Sequence, residues 1–465
     1  MNGSNEVISL SAVEMLRSFG NGNLSPVDVM SAHLQQCERQ NSRINAVFGV
    51  RADYAMKNAR RSEARWQKGE PAGPLDGLPI LLKDSIKCEG FDYFHGSASY
   101  DGSPADHDAP LAARIKEDGG LVYGKTTMPD YGMLAAGVSS VFGIVRNPWN
   151  TAVNTGGSSA GSGASVAAGL APLAVGTDIA GSVRLPCAHN GLVGLKPSRG
   201  RIPHLAPSPI RAAGPMARTV EDAGLLMGTL VRPDSRDYES MVPCDESAYR
   251  KLGHTPDGFL LGKRIGLMLD MGFGQTPEQR VIDLIKKQAK VFEDLGASVD
   301  LVPTVAHADP MDALYSLFQS RAYYELVGRP SESQHNLLPH IDAWCRKTEK
   351  RSAHQLSIAL FELEDFKARV VSVLEPFDYV ISPSLTIVSF PADHVGAVSE
   401  SHFAHCSYQI PFNQIGTPAL SINAGFIEEL PVGMQIAGKR YDDLGVLMAA
   451  MLYEQNRGFE IDWPM

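Results

Sequence analysis

Apolar residues recur at helical spacing after Ser25, with Val27, Met30, Leu34 and Cys37 on one face. Ser25 offers an N-cap oxygen, Pro26 suits the first helical position and Asp28 sits where the helix dipole favours negative charge, so a helix is predicted to open there. The pattern changes at Arg264 to Leu269, a short apolar run that reads as a buried strand. Thr276-Pro277-Glu278-Gln279 then has the form of a capping box. Val281, Leu284, Ile285, Val291, Phe292 and Leu295 supply the apolar face of the helix it would start. Gly296 stops that helix, and Ser298 to Val302 returns as a strand. A strand-helix-strand unit implies parallel pairing, because a helix is the usual crossover between parallel neighbours.

The same alternation occurs earlier. Pro110 to Lys116 reads as a helix, Gly119-Gly120 ends it, and Leu121-Val122-Tyr123 leads as a strand into Gly124-Lys125-Thr126. The class is therefore α/β. No repeat, low-complexity tract or Pro/Gly/Ser linker divides the chain, although Pro233 to Thr255 is polar and loop-like. A single domain over 1–465 is expected, with a helical N-terminal segment over 1–70. Helical pieces such as Ala313 to Leu326 suggest a variable lobe at about 230–350, over one side of the site.

Composition narrows the function classes. The chain has 465 residues, 44% of them hydrophobic and 20% charged, enough for a large core. A net charge of −10 argues against nucleic acid or an anionic membrane as the main partner, since either selects a basic patch. A small neutral substrate fits better. The first twenty residues lack a basic start and a continuous apolar stretch, and no run is long enough to cross a bilayer, so a cytoplasmic location is expected. The six cysteines form no CxxC pair and are expected to be reduced, buried thiols.

The most unusual composition lies in Asn154-Thr-Gly-Gly-Ser-Ser-Ala-Gly-Ser-Gly-Ala-Ser165, followed by Gly176-Thr-Asp-Ile-Ala-Gly-Ser-Val-Arg-Leu-Pro186. Small residues let backbones approach closely, and two such serine loops so near each other suggest one site. A lone Gly/Ser cluster is most often only a tight turn. A phosphate loop would need a lysine after its last glycine, and Ala164 and Ser165 stand there instead. Gly157-Ser158-Ser159-Ala160-Gly161 also matches the G-x-S-x-G of α/β-hydrolases, with Ser159 as nucleophile and Asp378 followed by His402 or His405 as partners. With 13 histidines such an order arises easily by chance, and the motif leaves the second loop unexplained.

Taken together, GGSSAGSG, GTDIAGSVRLP and GLVGLKPSRGRIP resemble the amidase signature family. So do the upstream GPLDGLPILLKDSI, the intervening GKTTMPDYGM and NPWN, and the closing GTPALSINAG and LPVGMQIAGKRYDD. The resemblance covers most of residues 70–230 and 375–460. It implies a large mixed, mostly parallel twisted sheet flanked by helices on both faces. It also implies a Ser-Ser-Lys triad of Ser182 as nucleophile, Ser158 as relay and Lys83 as base, with a cis peptide at Gly157-Ser158. Ile179, Ala180 and Gly181 would form the oxyanion hole, Thr177, Asp178, Arg184 and Ser159 would support it, and Gly132, Met133 and Leu134 would border the acyl pocket, with Phe412 as a further contributor. Ala160 and Ala180 stand where the family usually has glycine.

The chemistry behind these roles is general. A serine hydroxyl is a poor nucleophile unless a nearby base takes its proton. A lysine can do so only when neutral, which requires burial, and Ile80, Leu81, Leu82 and Ile86 flank Lys83. The expected reaction is hydrolysis of a small-molecule amide to a carboxylic acid and ammonia or an amine, through a Ser182 acyl-enzyme. The alternatives are carbamoyl, hydrazide or ester hydrolysis, the glutaminase subunit of a tRNA-dependent amidotransferase, and an esterase using Ser159. No metal or cofactor is expected, and no nucleic acid or membrane partner; the oligomeric state is open, a homodimer included.

Overall fold

Successive residues of the inner strands are buried in different apolar clusters, which is the period-two signature of a sheet covered on both faces. In the strand Pro79–Lys83, Ile80 and Leu82 join one cluster and Leu81 another; in Leu173–Asp178, Leu173 and Val175 part from Ala174 in the same way. The computed structural model describes residues 2–206, 208–398 and 401–465.

In chain order the strands are β1 (Val47–Phe48), β2 (Pro79–Lys83), β3 (Leu121–Thr126), the hairpin pair β4 (Val138–Ser139) and β5 (Gly143–Ile144), β6 (Leu173–Asp178), β7 (Val193–Lys196) and β8 (Ala212–Ala217). There follow β9 (Arg264–Leu267), β10 (Ser298–Leu301), β11 (Tyr379–Pro383), β12 (Ala419–Ile427) and β13 (Leu430–Gly438). All but β4 and β5 form one sheet in the order β1-β3-β2-β6-β8-β7-β12-β13-β11-β9-β10.

The sheet is mixed, as expected, but not mostly parallel. Parallel pairing is confined to β3-β2-β6 and to β11-β9-β10. The middle of the sheet, β6-β8-β7-β12-β13-β11, is antiparallel throughout, and within it only β12 and β13 are joined by a tight hairpin, at Glu428-Glu429.

Local signals explain most element ends. The helix Pro26–Ile44 begins at a Ser25–Asp28 capping box, each side chain accepting from the other's backbone N–H at 3.1 Å. The helices Pro110–Glu117 and Met311–Val327 and the strands β9 and β10 lie where the pattern placed them. The capping box at Thr276 does not form. Glu278 stays extended, donates its N–H to Thr386 O and accepts from Arg280 Nε, so the helix starts at Gln279. All six cysteines are free; five are buried and Cys244 is half-buried. No helix of the described residues is long and apolar enough to cross a membrane.

Candidate active site

Because β3, β2 and β6 run parallel, their C-terminal ends share one edge of the sheet, the usual place for a site in an α/β fold. Lys83 ends β2, and Thr177 and Asp178 end β6. The loop after β6 carries Ser182, and the loop before the helix Ala160–Ala167 carries Ser158. Gly176 permits this convergence: a Cβ there would lie 2.6 Å from Ser159 Oγ. The Gly157-Ser158 peptide is cis.

Lys83 Nζ donates to Ser158 Oγ at 2.8 Å and to Thr177 Oγ1 at 2.9 Å. The lysine is fully buried, and so are Ile80, Leu81, Leu82 and Ile86 around it. Burial pushes its pKa down to about 7; Asp178 and Asp84 oppose that shift and the Arg321 cation adds to it. Ser158 and Ser182 line the same cavity and each keeps 3% exposure, whereas Ser159 has none.

The two serines of GGSS therefore part company. Ser159 Oγ donates to Thr177 O at 3.3 Å and accepts from Thr177 N–H at 3.2 Å, which ties the two loops together. The partners expected of an α/β-hydrolase are elsewhere: Asp378 accepts from Arg264 N–H, His402 meets His340 at 2.9 Å, and His405 packs edge-on against Phe390. The G-x-S-x-G match has no triad behind it.

Asp178 and Arg184 form a wholly buried pair. Arg184 Nε and Nη2 each donate to a carboxylate oxygen at 3.0 Å, and Asn413 and Gln435 satisfy further polar atoms. Burial alone would raise the Asp178 carboxyl, but Arg184, Lys196 and Asn413 hold it well below the usual carboxylate range. The carboxylate also accepts from Gly181 N–H at 2.7 Å and Val183 N–H at 3.1 Å, fixing the loop around Ser182. This corrects one expectation: the Gly181 N–H is already committed and is not available to an oxyanion. Among the described residues the N–H groups of Ile179 and Ala180 have no partner. Neither Ala180 nor Ala160 has positive φ, so a methyl group fits both positions where the family usually has glycine.

Of the expected pocket residues, Gly132 lines the Ser182 cavity. Met133 and Leu134 do not: both are fully buried in the apolar cluster behind it. Phe412 borders a separate groove with Val371, Phe377 and Ala437. The cavity wall is instead completed by Tyr93, His95, Tyr131, His204 and Arg321. His95 and Tyr131 both hold left-handed backbone conformations, with φ of 48° and 52°, a strain of about 1–3 kcal/mol each that clusters at functional sites. Arg321 and Glu325 come from the helix Met311–Val327, one turn apart, beside the apolar stripe Leu314, Phe318 and Ala322. Two charges at the margin of such a stripe were the available signal for them. Among the described residues no group of three or more His, Cys, Asp or Glu is arranged to hold a metal.

Comparisons with known proteins show the family. The amidase family model matches residues 28–447. The chain is 30% identical to a glutamyl-tRNA(Gln) amidotransferase subunit of Symbiobacterium thermophilum, covering 96% of each, and 29% identical to an acylamidase of Rhodococcus erythropolis, covering 96% of this chain and 95% of that one. The crystal structure of a bacterial aryl acylamidase of the amidase signature family superposes with a TM-score of 0.87 at 28% identity, covering 96% of both chains. With two serines and a buried lysine gathered at one sheet edge, and a family match spanning almost its whole length, this chain belongs to the amidase signature family.

Proposed function

We propose that the protein hydrolyses the carbon–nitrogen bond of a small-molecule amide through an acyl-enzyme on Ser182. The observation that carries this reading is the 2.8 Å contact between Ser158 and a buried lysine whose pKa lies near 7, beside Ser182 in one cavity. As Ser182 Oγ attacks the carbonyl carbon, its proton passes to Ser158 and the Ser158 proton to Lys83. The tetrahedral oxyanion lies against the N–H groups of Ile179 and Ala180. Collapse breaks the C–N bond, and the relay returns a proton to the departing amine. Water then attacks the ester, losing a proton to the same relay and releasing the acid and Ser182.

The relatives named acylamidase support amide hydrolysis with release of the amine. The similarity to amidotransferase subunits supports a second reading, in which glutamine is the ammonia source for a partner.

The test is ammonia release from aliphatic, aromatic and dicarboxylic amides and glutamine by wild type, Ser182→Ala and Ser159→Ala. Ser182→Ala should lower kcat by roughly 10⁶-fold. Ser159→Ala should retain the reaction at reduced stability. Loss on Ser159→Ala with retention in Ser182→Ala would sink the mechanism. Glutamine as the best substrate, with turnover raised by a companion protein, would establish the second reading.

A further inference from the structure

The Ser182 cavity contains one permanently charged side chain, and it is poorly matched. Arg321 is the only arginine or lysine among the lining residues, and no aspartate or glutamate lines the cavity. Its guanidinium makes two long contacts, from Nη1 to Tyr131 O at 3.4 Å and to Met133 Sδ at 3.9 Å. Its Nε is buried without a hydrogen-bond partner, and the side chain makes no ion pair among the described residues. Glu325, one helical turn on, is turned away to His95 and to Tyr100, whose hydroxyl donates to it at 2.9 Å. A cation held in this way in a cavity wall is stabilised by an anion on the ligand and is costly beside a neutral one.

Resting on the amidase reading above, we propose that the substrate is an amide bearing a carboxylate, recognised by Arg321, and without an ammonium group. The missing half of the recognition decides between anions. A free amino acid amide such as glutamine brings an ammonium as well as a carboxylate, and the lining offers no carboxylate to receive it. The monoamide of a dicarboxylic acid fits both facts: its carboxylate meets the guanidinium while its carboxamide lies at Ser182. Arg321 is then a specificity residue, touching the far end of the substrate rather than the reacting atoms.

The experiment measures binding where turnover is blocked, so it does not depend on the hydrolytic mechanism. Calorimetry on Ser182→Ala would compare malonamate, succinamate, glutaramate and adipamate with butyramide and L-glutamine, repeated in Ser182→Ala carrying Arg321→Gln or Arg321→Lys. The best dicarboxylic monoamide should bind about 10–100-fold more tightly than butyramide. That preference should collapse in Arg321→Gln and be partly kept in Arg321→Lys, with the thermal melt checking that each variant folds. Equal binding of butyramide, a preference that survives Arg321→Gln, or tightest binding of glutamine would each overturn the proposal. Failure of the amidase reading would show separately, as wild type that binds these compounds and releases no ammonia from any of them.

Discussion

On the sheet side of the cavity the charged groups are buried and multiply bonded: Lys83 holds Ser158 and Thr177, and Asp178 gathers Arg184, Asn413 and two backbone N–H groups. On the helix side Arg321 is half-buried, its contacts to Tyr131 and Met133 are long, and its Nε has no partner. The first wall hangs from the ends of neighbouring strands, whose registers are fixed by ladder hydrogen bonds. The second hangs from one helix, Met311–Val327, packed by its apolar stripe. Groups that move protons must keep their distances to a few tenths of an ångström, whereas a group that meets the remote end of a substrate can leave valences open for it. On the reading proposed above, the difference separates reaction from recognition.

That division should break hardest on the sheet side. Arg184→Met strands a buried carboxylate, and a denaturant melt should show a loss of about 3–5 kcal/mol. A loss below about 1 kcal/mol would mean that Asp178 is solvated or protonated at little cost. Lys83→Met keeps the apolar packing and removes the base, so kcat should fall by about 10²–10⁴-fold while substrate still binds.

In the proposed relay the same lysine sets the pH dependence. The base must be neutral, so kcat/KM should rise about tenfold per pH unit below pH 7 and level off above it as the amine loses its proton. An activity independent of pH between about 5.5 and 8.5 would remove Lys83 from the relay.

The helix side should respond more gently and in a different parameter. Glu325→Gln removes the anion that holds His95; burial alone would raise that carboxyl, but His95, Arg321 and the Tyr100 hydroxyl keep it below its ordinary value. The expected cost is about 1–3 kcal/mol of stability, with KM raised more than kcat is lowered. A fall in kcat as large as that of Lys83→Met would erase the distinction between the walls.

Much of the sheet side was legible in the chain. The two serine loops, the lysine in an apolar strand and the Ser25 cap each occupy a few consecutive residues, and the family resemblance supplied the roles expected of the serines and the lysine. The errors lie where a local pattern meets a distant partner. Thr276 loses its capping box because Glu278 is engaged by Thr386 and Arg280. The Gly181 N–H is taken by a carboxylate from the strand before it. Met133 and Leu134 follow the lining residue Gly132 in sequence, but their side chains turn into the core.

By itself the sequence determined the α/β class and the family resemblance, because these depend on short-range periodicity and on small residues packed into two loops. Only the tertiary structure decided which of the two adjacent serines opens into the cavity, how much of the sheet is antiparallel, and that a helix more than a hundred residues beyond Ser182 brings Arg321 to face it. Those outcomes depend on long-range pairing and on the direction in which a side chain points once its element is packed, neither of which is encoded within a single turn or strand.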